Sequence, residues 1–306
     1  MEDGRMVVGR MVVGVIGLGS MGGGAARNLL AQGHAVIGCE PRDAVRQAFM
    51  DVGGAGAATV ADLPATLSAL VVFVVNAAQV EAVLFGPDGI APRLQPGCVV
   101  IQCATVAPAI ARSLAERLDA LGLLMLDAPV SGGSKAADAG TMTVMASGSP
   151  AAFAAAEPVL AAMAGKVWRL GDAPGVGSTV KMVNQLLAGV HIAAAAEAMA
   201  LGIRAGADPQ TLFDVISVSA GNSWMFSDRV PHILAGDDTP RSTVDIFVKD
   251  LGTVLDGGRA MTFPLPMASA AHQLFLAASA AGDGQRDDAF VIRVWERLAG
   301  IALPKG

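Results

Sequence analysis

Two short stretches hold residue types whose spacing could do chemistry. The first is Gly17-Leu18-Gly19-Ser20-Met21-Gly22, which follows the apolar run MVVGVI at 11–16 and leads into GGAARNLLAQG. In that setting Gly17 allows a tight turn, Gly19 lets the backbone approach a pyrophosphate, and Gly22 permits close helix–strand packing. The helix that follows would offer its first N–H groups, and a partial positive charge, to phosphates. Glu40 ends the next apolar run, at about the 20-residue spacing where an acidic side chain binds a ribose 2′-hydroxyl. A carboxylate there repels a 2′-phosphate and favours NAD over NADP, whereas Arg42, two residues on, could accept that phosphate. The second stretch is GVGSTVKMVNQLLAGV at 175–190, in which Lys181 is out of keeping with its surroundings. From Gly175 to Ile203 the only formal charges are Lys181 and Glu197. An ammonium there is either a solvated head whose stem covers apolar surface or a group placed to move a proton.

Both stretches need elements to hold them. The 306-residue chain is 53% hydrophobic and 16% charged, enough for two domains with sizeable cores. Up to about residue 170, β-branched runs at 11–16, 35–39, 70–75, 98–102, 123–127, 142–147 and 166–170 alternate with helical stretches at 21–32, 42–52, 77–84, 107–121 and 150–163. Continuous apolar strands alternating with helices predict a mostly parallel sheet covered on both faces. Beyond LGDAPGVGS (170–178) no strand is expected. A long apolar helix is followed by helical segments near 208–219, 221–235, 242–261, 266–281 and 285–299, separated at Asp208-Pro209, Gly236-Asp237-Asp238 and Pro264-Leu265-Pro266. The expected organisation is therefore a disordered extension over 1–10, an α/β Rossmann domain over 11–173, an interdomain helix over 174–203 and an all-α C-terminal domain over 204–306.

Composition narrows the partners. The net charge of −6 and the lack of any Lys/Arg cluster argue against nucleic acid. LSALVVFVV (67–75) is too short to span a bilayer, so no membrane is expected. Cys39, Cys98 and Cys103 are odd in number, and the four histidines (34, 191, 232 and 272) are scattered. Neither set has metal-ligand spacing, so no metal is expected and a reducing, cytoplasmic setting fits. The helical C-terminal domain is apolar enough to predict a homodimer or homotetramer formed through it.

GVIGLGSMG (14–22), DAPVSGG (127–133), GVGSTVKMVNQ (175–185) and KDLG (249–252) occur in the order and spacing of the β-hydroxyacid dehydrogenases, which the chain resembles over residues 11–300. The resemblance implies an NAD-dependent enzyme that oxidises a small hydroxy acid. It makes Lys181 the catalytic lysine, general base in oxidation and general acid in reduction. It gives Ser131, Gly132 and Gly133 the substrate carboxylate, a role that a hydroxyl and adjacent glycine N–H groups suit. The family's substrate-contacting asparagine falls at Gln185 here, with Asn184 one residue earlier; at i+3 and i+4 from Lys181, either amide can reach. By the same resemblance Lys249 lies near the nicotinamide, while Thr105 and Asn76 contact cofactor.

Four stretches, VVNAAQVEAVLFG (74–86), the segment 177–201, AGNSWMF (220–226) and STVDIFVKDLG (242–252), resemble family members that act on a four-carbon sugar acid. The substrate this implies is L-threonate or a similar acid, oxidised at its C2 hydroxyl, with 3-hydroxyisobutyrate or tartronate semialdehyde as the alternatives. Asp245 belongs to the last stretch and could accept hydrogen bonds from the distal hydroxyls of such an acid. A non-catalytic dinucleotide-binding module is the remote alternative, against which the retained lysine speaks.

Overall fold

The computed structural model describes residues 9–304, so the extension expected over 1–10 lies outside the described residues except for Gly9 and Arg10. The chain divides into two compact units between Lys181 and Met182. The division falls inside the long helix expected to link the two domains.

The first unit alternates β1 (Val12–Ile16), α1 (Ser20–Ala31), β2 (Ala35–Cys39), α2 (Asp43–Asp51), β3 (Ala55–Ala57), β4 (Ala69–Val72), α3 (Ala77–Phe85), β5 (Val99–Gln102), α4 (Pro108–Asp119) and β6 (Leu124–Asp127). These six strands form one sheet in the order β3-β2-β1-β4-β5-β6, with every pair parallel. β4 and β5 are buried along their whole length. That burial explains why their sequences, ALVV and VVIQ, show no polar alternation. Each buried Val, Leu or Ile contributes about 1.5–3 kcal/mol. The strand order reverses between β1 and β4, and in an open parallel sheet ligands bind outside the carboxyl ends of the strands at such a point.

The remaining elements of this unit are β7 (Val130–Ser131), α5 (Gly133–Asp138), β8 (Met142–Ala146), α6 (Pro150–Met163) and β9 (Ala164–Arg169). The runs at 142–147 and 166–170, predicted as strands of the main sheet, instead form a separate three-stranded sheet in the order β7-β8-β9. β7 pairs antiparallel with β8, and β8 parallel with β9. Only Ala128 and Pro129 separate β6 from β7, too little chain for the crossover that a parallel neighbour requires. Apolar patterning finds a strand without naming the sheet it joins. β3 and β7, at three and two residues, are too short for periodicity to register.

Helix α7 (Val176–Arg204) runs out of the first unit into the second, which continues with α8 (Pro209–Ser217), α9 (Trp224–Ala235), α10 (Val244–Ala260), α11 (Pro266–Ala278) and α12 (Arg293–Ala299). Its core gathers Ile192, Ala196 and Met199 of α7 with Phe247 and Leu251 of α10 and Phe275 of α11. Gly189 lets α7 lie against α10, because a Cβ there would stand 2.9 Å from the Leu251 side chain. The Asp208 and Ser223 side chains cap α8 and α9, accepting from Thr211 and Phe226 N–H groups.

Two predicted helices end differently. The segment 266–281 stops as an α-helix at Ala278 and closes in a π turn, with Gly282 at φ +91°. The segment 285–299 is a 3₁₀ turn over Asp288–Ile292 followed by α12. Asp287 caps that turn by accepting from the Ala289 N–H. By length and composition α7 is the one helix among the described residues apolar enough to cross a membrane, yet its small and apolar side chains from Ile192 to Ala200 belong to the core of the second unit. From Ile192 onward α7 is a core helix of the second unit.

Candidate active site

The glycine turn sits at the carboxyl end of β1. Gly17 takes φ +88°, and a Cβ on it would stand 2.3 Å from the Phe73 carbonyl oxygen, just past β4. A Cβ on Gly22 would stand 1.9 Å from the Gly17 carbonyl oxygen. Gly19 differs, since a Cβ there would meet only the Arg42 guanidinium, at 3.9 Å. Gly19 is the N-cap of α1, whose first turn has neither a side-chain cap nor an acidic residue. Uncapped N–H groups beside an open backbone fit a pyrophosphate. Residues Gly17 to Gly22 therefore suit the phosphates of a dinucleotide.

Glu40 follows β2 and is buried. Its Oε2 accepts from the Leu18 N–H at 3.1 Å, and Arg42 donates from Nε to Oε1 at 2.7 Å and from Nη2 to Oε2 at 3.0 Å. The Arg42 guanidinium holds the Glu40 carboxyl below the usual carboxylate range. The two residues that compete at the sequence level thus form one ion pair beside the turn.

Asn76 caps α3, its Oδ1 accepting from the Gln79 N–H at 2.9 Å. Thr105 lies in the loop after β5, a loop braced by a residue that sequence reasoning missed. Gln102, fully buried, accepts from the Ala104 N–H and donates to the Ala104 carbonyl. A lone glutamine ending an otherwise apolar strand was the available signal.

Ser131 ends β7, and Gly132 and Gly133 continue at φ +123° and +68°, a backbone that side chains other than glycine rarely adopt. This turn is tied to the glycine-rich helix. Gly24 of α1 meets the backbone of Ala137 in α5, where a Cβ would stand 2.6 Å from the Ala137 carbonyl carbon. Asn28 donates to the Ala137 carbonyl oxygen at 2.7 Å.

Lys181 is 7% exposed. It lies on the buried stripe of α7 that runs through Ser178, Lys181, Gln185 and Gly189, so its stem is not laid over a solvated face. The start of α7 is bound to the end of β6: Asp127 accepts from the Gly175 and Ser178 N–H groups, both at 2.8 Å, and from the Ser178 hydroxyl at 2.7 Å. Burial pushes the Asp127 carboxyl up, and the bonds from Ser178 and Gly175 oppose that shift.

In the second unit Gln185, Asp250 and Lys249 form a chain of contacts. Gln185 Nε2 donates to Asp250 Oδ2 at 2.5 Å, Lys249 Nζ lies 2.7 Å from Asp250 Oδ1, and Asn184 Nδ2 donates to Gln185 Oε1 at 2.9 Å. Asp250, the second residue of the KDLG stretch, is 2% exposed. Asp245, also on α10, accepts from Ser279 at 2.6 Å and from Gln285 at 2.9 Å. Among the described residues no group of three or more His, Cys, Asp or Glu is placed to hold a metal ion.

Comparison with known proteins shows the family. Residues 12–171 match the family model described as the NAD binding domain of 6-phosphogluconate dehydrogenase. Residues 175–295 match that of the NAD-binding region of NADP-dependent 3-hydroxyisobutyrate dehydrogenase. The L-threonate dehydrogenase of Cupriavidus necator is 59% identical over 281 residues, covering 92% of this chain and 94% of the relative. That of Escherichia coli K12 is 56% identical over 254 residues, covering 82% and 83%. The crystal structure of a 3-hydroxyisobutyrate dehydrogenase from Salmonella typhimurium is 52% identical, with a TM-score of 0.88 over 93% of this chain and 99% of that one. With a dinucleotide turn at the switch point of its sheet, a buried lysine and matches over nearly its whole length, the chain belongs to the β-hydroxyacid dehydrogenase family and is a nicotinamide-dinucleotide-dependent oxidoreductase of small hydroxy acids.

Proposed function

We propose that the protein oxidises the C2 hydroxyl of L-threonate, or of a similar four-carbon sugar acid, to the 2-keto acid with NAD. The observation that carries this reading is Lys181, an ammonium-bearing side chain only 7% exposed on an apolar helix. When bound, the nicotinamide supplies a hydride acceptor. Lys181 takes the hydroxyl proton in oxidation and returns it to the carbonyl oxygen in reduction. The Ser131 hydroxyl and the Gly132 and Gly133 N–H groups hold the carboxylate and so select the carbon that reacts. The relatives named for L-threonate at 50–59% identity support the sugar-acid substrate. NADH formation with L-threonate, its stereoisomers, 3-hydroxyisobutyrate and tartronate semialdehyde's reduced partner tests it. Best turnover on the branched apolar acid would overturn the sugar-acid reading, and tight NADH binding without turnover on any of them would favour a non-catalytic module.

We infer that Asn184 is the amide that meets substrate. The Gln185 side chain is committed at both ends, to Asp250 and to Asn184. Asn184→Ala is expected to raise the substrate KM about tenfold, the worth of one good hydrogen bond, with kcat within threefold. Unchanged steady-state constants would return the role to Gln185. Asp245 is the proposed partner of the distal hydroxyls, because a carboxylate already accepting two donors keeps lone pairs for more.

Cofactor choice is assigned to Glu40. Its ionised carboxylate beside the turn suits a ribose 2′-hydroxyl and opposes a 2′-phosphate. Glu40→Ser is expected to shift the ratio of kcat/KM for NADP over NAD upward at least tenfold, about 1.4 kcal/mol, because Arg42 then lacks its carboxylate partner. A ratio that does not move would remove Glu40 as the selector. Thr105, Asn76 and Lys249 complete the proposed cofactor contacts.

We place the enzyme in the cytoplasm as a homodimer or homotetramer. Cys39, Cys98 and Cys103 are free and buried, and burial pushes the Cys39 and Cys98 thiols up to about 11, so they are poor thiolates. Val183, Leu187 and Leu201 on α7 are 52, 48 and 70% exposed, an apolar stripe that a second copy would cover. A solution mass by light scattering equal to one 30.8 kDa chain would overturn the oligomer.

A further inference from the structure

Asp127 has no part in the chemistry above, yet it is fully buried and accepts from Ser147, Gly175 and Ser178. It is the last residue of β6, four positions before Ser131. Its Oδ2 accepts from the Gly175 and Ser178 N–H groups and its Oδ1 from the Ser178 hydroxyl. Ser147, also fully buried, joins it: the Ser147 hydroxyl lies 3.4 Å from Asp127 Oδ2 and accepts from the Gly177 N–H at 2.9 Å. Paired backbone bonds between Asp127 and Ser147, at 3.0 and 2.8 Å, fix the two residues to each other. Between them they satisfy the Gly175, Gly177 and Ser178 N–H groups, donors at a helix start that the helix itself cannot pair. Gly177 permits the approach, since a Cβ there would stand 2.3 Å from the Met145 carbonyl oxygen and 2.7 Å from that of Asp127. Lys181 lies three residues beyond Ser178, less than one helical turn.

We propose that Asp127 is a positioning residue for Lys181, its carboxylate anchoring the first turn of α7 to the strand that leads into the Ser131-Gly132-Gly133 turn. One side chain thereby sets the proton acceptor relative to the group that holds the substrate carboxylate. A helix whose start can shift moves Lys181 away from the reacting hydroxyl, and errors on the order of 1 Å cost roughly 100-fold in rate. Asp127 touches neither substrate nor cofactor in this arrangement.

This inference rests on Lys181 being the base, so the experiment runs Lys181→Ala beside the Asp127 variants. Asp127→Ala is expected to lower kcat about 100-fold, with substrate KM and NADH affinity within threefold. Asp127→Asn, whose amide oxygen still accepts the two N–H bonds and whose amino group can donate to Ser178, is expected to recover at least tenfold of that loss. A double variant, Ser147→Ala with Ser178→Ala, leaves the Asp127 carboxylate in place and should lower kcat roughly five- to tenfold. In all three the solvent deuterium isotope effect on kcat should rise, because proton transfer to a displaced amine becomes rate-limiting. A merely destabilised enzyme would lose active fraction with that isotope effect unchanged. Wild-type kcat in Asp127→Ala, or a loss that Asp127→Asn does not recover and that leaves the isotope effect unmoved, overturns the proposal. If Lys181→Ala itself retains turnover, the proton-transfer reading fails first and takes this one with it. An inactive Lys181→Ala beside fully active Asp127 variants defeats the positioning role alone.

Discussion

Lys181→Ala is expected to lower kcat by a factor on the order of 10²–10⁴, the usual worth of a positioned general base, while NADH affinity stays within twofold. Lys181 is 7% exposed in the first turns of α7. The dinucleotide turn is built from β1, α1 and Glu40, and its hydrogen bonds do not involve α7. Binding and chemistry should therefore separate, with kcat and kcat/KM falling together as they do when an interaction confined to the transition state is lost. Lys181→Arg should not restore the rate, because a guanidinium keeps its proton at any working pH. Steady-state kinetics with NADH fluorescence titration decide the matter, and a near-normal kcat in either variant would exclude Lys181 as the base.

Gly22→Ala is expected to weaken dinucleotide binding by roughly 100-fold, from about 3 kcal/mol of overpacking at one position. The added Cβ would stand 1.9 Å from the Gly17 carbonyl oxygen and 2.9 Å from the Phe73 Cβ. The first neighbour is backbone and cannot rotate away. Relief requires α1 to lift from β1, which carries its first N–H groups off the phosphate position. Gly19→Ala provides the contrast, since its Cβ meets protein only at 3.9 Å. There any loss of affinity arises from the ligand alone, with thermal stability unchanged. Calorimetric titration with NADH beside a melting curve separates the two cases. Equal affinities for wild type and Gly22→Ala would show that the turn yields more readily than its backbone contacts imply.

Much of this was legible beforehand for local reasons. The GxGxxG turn announced itself because only glycine satisfies a φ of +88° at residue 17 and a contact as close as that at residue 22. The parallel sheet showed in continuous apolar runs because strands buried on both faces leave no polar alternation. Lys181 stood out as an ammonium in a helix with almost no other charge. Other features were not legible. Strands β8 and β9 had the right composition but joined a second sheet, since the two residues between β6 and β7 forced a reversal there. Asn184 and Gln185 are equivalent by sequence, and only the packing of α7 on α10 puts the Gln185 amide on Asp250.

By itself, then, the sequence determined the elements, the dinucleotide turn and the residue types available for proton transfer and carboxylate binding. Each depends on stereochemistry and burial within a few consecutive residues. Only the tertiary structure decided which side chains act together. Asp127 meets Ser178 across 51 residues of chain, and Gln185 meets Asp250 across 65. Such pairs form where packed elements bring their donors and acceptors together out of water, and nothing in either local stretch specifies the other.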